Sequence, residues 1–287
     1  MSAPLASADD AAFCADLVRS HDFARYASTL FVPAVQRRAL LALYAFNVEI
    51  VRVRDQVTQP MPGEIRLQWW TDMLAGLVLG SAEGNPVAAE LLLAIRNYEL
   101  PVEPLSRLVE EHQFDLYNDP MPTIEALEGY LSGTNSALFA LAARIGGGPA
   151  SALDHPARHA GLAQGMVQVI ASLPRDAARR QLFVPQQLLE GHTAAIEELF
   201  SGREAPGLRT AVDQLADEAR KHLATAFSLL AEVPPDAKTM FLPLALVRRD
   251  LKRLARADRD LFMSQPVSRL GTLWTLWRAS RAREFTK

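Results

Sequence analysis

Residues 44–55 read YAFNVEIVRVRD and residues 164–185 read QGMVQVIASLPRDAARRQLFVP. Apolar residues recur through both stretches at helical spacing, and each holds a lone aspartate, Asp55 or Asp176, set among arginines. On a helix, residues i and i+4 share a face with Cβ atoms roughly 5–6 Å apart, so two carboxylates at that spacing can present oxygens to one Mg²⁺. Neither stretch keeps such a pair. Four residues before Asp55 stands Val51, with Arg52 beside it, and four before Asp176 stands Ser172. Two like unit charges at 4 Å repel by about 4 kcal/mol at an effective dielectric near 20, so Arg52 works against a cation there. A guanidinium instead binds phosphate bidentately without metal.

Around these stretches the chain reads as helix nearly throughout, with little strand-like alternation. The spacing predicts helices over residues 10–20, 33–57, 64–79, 86–97 and 102–118. Others are expected over residues 123–145, 153–173, 193–200, 208–232, 239–257 and 267–281. Pro33, Pro86 and Pro122 stand near helix starts, where a missing N–H does little harm. Gly146, Gly147 and Gly148, followed by Pro149, make the clearest break. Each half so divided holds one of the two opening stretches, and if both face one cavity the break is a loop within a single bundle.

The chain has 287 residues, almost half of them apolar, and a formal net charge of −3 with no long run of one sign. That balance leaves no electrostatic footprint for nucleic acid. Cys14 is alone, which excludes a disulfide framework and a cysteine-based zinc site and fits a reducing compartment. The opening MSAPLASADDAAF lacks the basic and apolar regions of a secretory signal, and no stretch approaches roughly 18 uncharged apolar residues. These features predict a cytoplasmic protein, or one peripheral to the inner membrane.

The two opening stretches resemble the diphosphate-gripping segments of the squalene/phytoene synthase superfamily. There the first segment runs YAFCR followed by DDxxD, and the second runs NxxRDxxED followed by a basic stretch and YLP. Here Val51 and Arg52 replace carboxylate positions while Asp55 keeps the last. Gln168, Ala171, Ser172 and Arg175 replace Asn, Arg, Asp and Glu, while Asp176 is kept. The likeness extends over residues 14–278, through His21-Asp22-Phe23, Trp69-Trp70, the stretch YLSGTNSAL from Tyr130, and Asp260-Leu261-Phe262. Within the superfamily, AFNVE, RLQWW, AQGMV and Arg179-Arg180 before FVP are similar to a group that serves mitochondrial respiratory complex I assembly.

The resemblance implies a single domain over residues 1–287 with an all-α fold, an isoprenoid-synthase helical bundle around a central cavity. It implies a non-catalytic member that supports complex I assembly through a complex I subunit or assembly intermediate. It also implies a prenyl diphosphate or lipid ligand held by Tyr44, Arg52, Gln164, Gln168, Arg179 and Arg180, with no cofactor expected. The alternative is an active head-to-head prenyltransferase using Mg²⁺, in which Asp55 and Asp176 would be the metal-binding and catalytic carboxylates.

Plainer readings stand beside these. Asp55 near a helix C-terminus opposes the helix dipole and calls for a partner, either Arg52 or an arginine of a neighbouring helix. Arg179 and Arg180 read equally as a solvated turn and as a phosphate or acidic-lipid contact. Glu49 has Arg52 at i+3 as a structural partner. Gln164 and Gln168 share a face and line the cavity or satisfy each other. His155 and His159 have zinc-compatible spacing without a third ligand. Trp69-Trp70, Trp274 and Trp277 are expected in the core. SRLGTLWTLWRASRAR at the C-terminus is expected to pack on the bundle, with an anionic membrane surface as the other reading.

Overall fold

The computed structural model describes residues 7–77, 84–190, 193–204, 206–256, 260–263 and 267–286. Residues 79 and 257, where two predicted helices end, and the first six residues of the expected non-signal N-terminus lie outside them; within the described residues those two helices already stop at Leu74 and Leu254. The described chain is α-helical with short 3₁₀ and π turns, and no strand occurs among the described residues. The first half comprises α1 (Ala8–His21), α2 (Phe23–Thr29), α3 (Ala34–Gln56), α4 (Pro60–Leu74), α5 (Pro86–Tyr98), α6 (Val102–Glu111), α7 (Ile124–Leu131) and α8 (Ala137–Ile145). Beyond the glycine break come α9 (Ala150–Ala178), α10 (Thr193–Phe200), α11 (Pro206–Leu229), α12 (Pro235–Lys238), α13 (Leu244–Leu254), α14 (Arg269–Ala279) and α15 (Arg283–Thr286).

Two helices carry the core. On α3 nearly every residue from Ala39 to Val48 is buried, so this helix is apolar almost all round and lies inside the bundle. Phe46 packs edge-on against Trp70 of α4 at 5.1 Å, and Trp70 in turn meets Trp69. The long α9 is buried along one side between α8 and α11. Buried apolar residues from Cys14 to Phe285 form one contiguous cluster that includes both sides of the Gly146–Pro149 break.

Some boundaries differ from the sequence reading for local reasons. The predicted helix over 153–173 runs on to Ala178, with Pro156 and Pro174 inside it. Pro174 has no N–H for the Ile170 carbonyl, but burial of Leu173, Asp176 and Ala177 carries the helix one turn past the proline. The predicted helix over 123–145 is interrupted by a π turn at Ser132–Ser136, where the Ala137 N–H reaches back to the Ser132 carbonyl. Gly161 of α9 lies against this turn, and a Cβ there would stand 2.2 Å from the Ser136 backbone nitrogen. The helix expected over 102–118 ends at Glu111 and gives way to a 3₁₀ turn over Phe114–Leu116.

The tryptophans divide. Trp70 is buried and Trp69 packs on the core, as expected. Trp274 and Trp277 do not: they are 59% and 37% exposed, because α14 buries Thr272, Leu276 and Ala279 on its opposite side. His159 pairs with His222 of α11 at 2.9 Å between Nδ1 atoms, rather than with His155 on its own helix.

Candidate functional site

Helices α3 and α9 face each other across a cavity of about 540 Å³. From α3 it receives Asn47, Val48, Val51 and Arg52, and from α9 Gln168, Ser172, Arg175 and Asp176. The end of α1 and start of α2 add His21, Asp22 and Arg25; α6 and the following turn add His112 and Asp115. Tyr130 enters from α7, and the π turn, which bulges towards the cavity, delivers Thr134 and Asn135.

Its carboxylates are already bonded. Asp22 caps α2 through the Arg25 N–H and pairs with the Arg25 guanidinium at 2.6 Å. Arg25, almost fully buried, donates from its other nitrogen to Gln164 Oε1 at 2.9 Å. Asp115 accepts from the Tyr130 hydroxyl at 2.8 Å and lies 2.7 Å from His112 Nδ1. Burial, and then Asp115, push the Tyr130 phenol well above its ordinary value, so it stays a neutral donor. Asp176 accepts from the Ser172 hydroxyl and from Arg175 Nε, the latter at 3.3 Å. Burial nonetheless raises the Asp176 carboxyl above its usual range, the Ser172 bond and Arg175 opposing it.

Arg52 differs from these groups. It lines the cavity and makes no hydrogen bond or ion pair among the described residues, including the expected one with Glu49. Asn135 donates to Gln168 Oε1 at 2.8 Å, so Gln164 and Gln168 are satisfied by Arg25 and Asn135, and not by each other.

The remaining candidates lie off the lining. Tyr44 is buried beneath Arg25, whose guanidinium sits 5.7 Å from the ring centre; burial pushes its phenol up to about 12. Asp55 pairs with Arg179 at 2.5 Å, tying the end of α3 to the end of α9 at a partly exposed position. This is the arginine of a neighbouring helix that a carboxylate at a helix C-terminus calls for. Arg180, with φ of +55°, turns away to Glu197 and stacks on Phe200 of α10. Sequence reasoning passed over Arg25, His112 and Asp115. Their signal is weak, since Asp22/Arg25 and His112/Asp115 are ordinary i, i+3 pairs until the fold brings Gln164 and Tyr130 to them.

The donors present do not fit a magnesium–diphosphate clamp. Val51 and Ser172 offer no carboxylate, Asp55 is held by Arg179 outside the lining, and Asp176 is held by Ser172 and Arg175. Among the described residues no group of three or more His, Cys, Asp or Glu is placed to hold a metal ion. The cavity instead presents Arg52 and Arg175 where such a clamp needs negative charge.

A family model described as squalene/phytoene synthase matches residues 18–278. The protein named NADH dehydrogenase (ubiquinone) complex I, assembly factor 6 from Rattus norvegicus is 32% identical over 254 residues, 88% of this chain and 76% of the relative. Its Homo sapiens counterpart is 31% identical, covering 87% of this chain and 75% of its own. Presqualene diphosphate synthase of Rhodopseudomonas palustris is 26% identical over 73% of this chain and 75% of its own. Among solved structures, a dehydrosqualene synthase in complex with ligand superposes with a TM-score of 0.82 over 95% of both chains at 16% identity, a likeness of fold.

Proposed function

The chain belongs to the squalene/phytoene synthase family, and we propose that it is a non-catalytic member that supports assembly of respiratory complex I while holding a phosphorylated prenyl or lipid ligand in its cavity. In this reading it acts as one domain, peripheral to the inner membrane, on a complex I subunit or assembly intermediate. The names of the relatives at 31–32% identity over most of the chain support the assembly role. The observation that carries the ligand role is Arg52, which faces the cavity unpaired among carboxylates that are already bonded. A phosphate could take bidentate hydrogen bonds from it without metal. Gln168 and Arg175 flank the same space, and the apolar Val48, Val51 and Val169 would line the path of a hydrocarbon chain.

Two experiments test the reading together. Deleting the gene should lower NADH:quinone oxidoreductase activity and leave squalene, carotenoid and hopanoid levels unchanged. Purified protein given Mg²⁺ with farnesyl or geranylgeranyl diphosphate should make no squalene or phytoene above a no-enzyme control. A Val51→Asp, Arg52→Asp variant returned to the deletion strain should fail to restore respiration if the arginine reads a ligand. Normal complex I activity in the deletion strain, or steady turnover abolished by Asp176→Ala, would overturn the proposal and put the prenyltransferase first.

A further inference from the structure

Helix α14 presents its aromatic residues to solvent. At about 100° per residue, Leu270, Trp274 and Trp277 fall within an arc of about 60°, and the buried Thr272, Leu276 and Ala279 fall within a similar arc on the opposite side. Leu270 is 78% exposed, more than either tryptophan. The two indoles stack at 4.8 Å, and Arg281, just past the helix end, lies 4.0 Å over the Trp277 ring. Packing of α14 on α13 and α2 therefore satisfies one face and leaves an apolar, aromatic one uncovered.

Beside that face, between α13 and α14, is a groove of about 500 Å³ into which Trp274 also projects. Among the described residues, six basic side chains line it, Arg248, Arg249, Lys252, Arg253, Arg256 and Arg278, against one carboxylate, Glu284. Glu284 is engaged by Arg248 at 3.0 Å, and Asp250 by Arg249 at 2.9 Å. Lys252 and Arg278 are exposed and make no ion pair among the described residues. A chain of net charge −3 thus concentrates positive charge at one groove, next to its exposed tryptophans.

We propose that the outer face of α14 and this groove form a docking surface for an anionic phospholipid bilayer. Tryptophan suits the headgroup–acyl boundary, where its ring is apolar and its N–H finds a polar partner. Leu270, Trp274 and Trp277 would enter that boundary as an in-plane amphipathic helix does. The groove would then take lipid phosphates, with Arg281 held beside the interface by its stacking on Trp277. Charge complementarity selects an anionic surface, since Lys252 and Arg278 stand beside the apolar face with no ion pair among the described residues, while Glu284, the one carboxylate among the described lining residues, is already bonded. No helix among the described residues is long and apolar enough to cross a membrane, so the contact is one of lying on the surface.

The proposal gives a surface to the peripheral placement in the preceding reading, and its test is separate from complex I activity. The whole protein would be sedimented with vesicles of phosphatidylcholine alone and of equimolar phosphatidylcholine and phosphatidylglycerol, at low and high salt. Binding is expected to the anionic vesicles only, with loss at high salt and a blue shift of tryptophan emission. Lys252→Ala with Arg278→Ala should weaken it roughly thirtyfold, at about 1 kcal/mol for each charge near the surface. Trp274→Ala with Trp277→Ala should abolish the blue shift, and far-ultraviolet dichroism should show both variants folded, because the substituted side chains are exposed. Absence of binding, equal binding to neutral vesicles, equal binding by folded variants, or self-association lost on removing the tryptophans would each overturn the proposal. Vesicle binding with normal complex I activity in a deletion strain would remove only the assembly role.

Discussion

Gly161→Ala should destabilise the protein although alanine is the better helix former. Gly161 lies inside α9, where the exchange alone would gain roughly 1 kcal/mol. The new methyl, however, would stand 2.2 Å from the Ser136 nitrogen, 2.3 Å from its Cα and 2.4 Å from its Oγ. Two of these atoms are backbone, so no rotamer change relieves the contact; α9 or the π turn must move. Overpacking of a dense core costs about 1–3 kcal/mol or more, and the rigidity of this contact places the net effect at a loss of about 2 kcal/mol. At about 2–4 °C per kcal/mol, the melting temperature should fall by about 4–8 °C. Gly129→Ala supplies the internal control: it is exposed on α7 with nothing within 4 Å of the added Cβ, and should gain about 0.5–1 kcal/mol. Thermal unfolding followed by circular dichroism reads both. If Gly161→Ala stabilises as Gly129→Ala does, the close approach of α9 to the π turn is wrong, and with it the placement of Thr134 and Asn135 in the cavity.

Asp55→Ala should change stability by less than about 1 kcal/mol, and by less still in high salt, since both partners of the Arg179 pair are more than a third exposed; a larger loss in chemical denaturation would show that this tie between α3 and α9 is buried in solution. The Asp176 carboxyl is raised in the folded state, so its contribution favours the fold below the usual carboxylate range and fades as pH rises through the shifted value. Asp176→Asn lacks that loss, so its melting temperature relative to the parent should climb between pH 4 and 7; a decline would mean that Ser172 and Arg175 outweigh burial. Tyr130→Phe leaves Asp115 with His112 alone and should lower stability by about 1 kcal/mol, the net worth of one part-buried hydrogen bond; no loss in urea titration would remove the Tyr130–Asp115 bond.

How much of this was legible beforehand follows from the range of each interaction. The cores of α3 and α9 were readable because burial imposes a helical apolar rhythm, and the two stretches could be expected to share one cavity because each alone presents half of a clamp. The all-α bundle followed from the same rhythm and from the family resemblance, and the family match and the superposition bear it out. The π turn was not readable: it packs against Gly161, 25 residues further along the chain from Ser136, and SGTNS by itself carries no π signal. The buried Asp22–Arg25–Gln164 chain spans 139 residues between Arg25 and Gln164, so local spacing shows only its i, i+3 half.

Trp274 and Trp277 failed for another reason. Aromatic spacing identifies a helix face but does not say which side of that face the fold covers. On α14 the small residues Thr272 and Ala279, together with Leu276, allow close packing on α13, so the bulky side is left outside. At the cavity the charge pattern was legible where the partners were not: Arg52 at a clamp position was plain in YAFNVEIVRVRD, whereas its freedom from Glu49 could be seen only once α3 was turned into the bundle. A lone carboxylate at a clamp position is therefore weak evidence of a metal site, because Asp55 and Asp176 both keep the residue type while Arg179, Ser172 and Arg175 have taken their oxygens. The charge left over faces the cavity from Arg52, and it is positive.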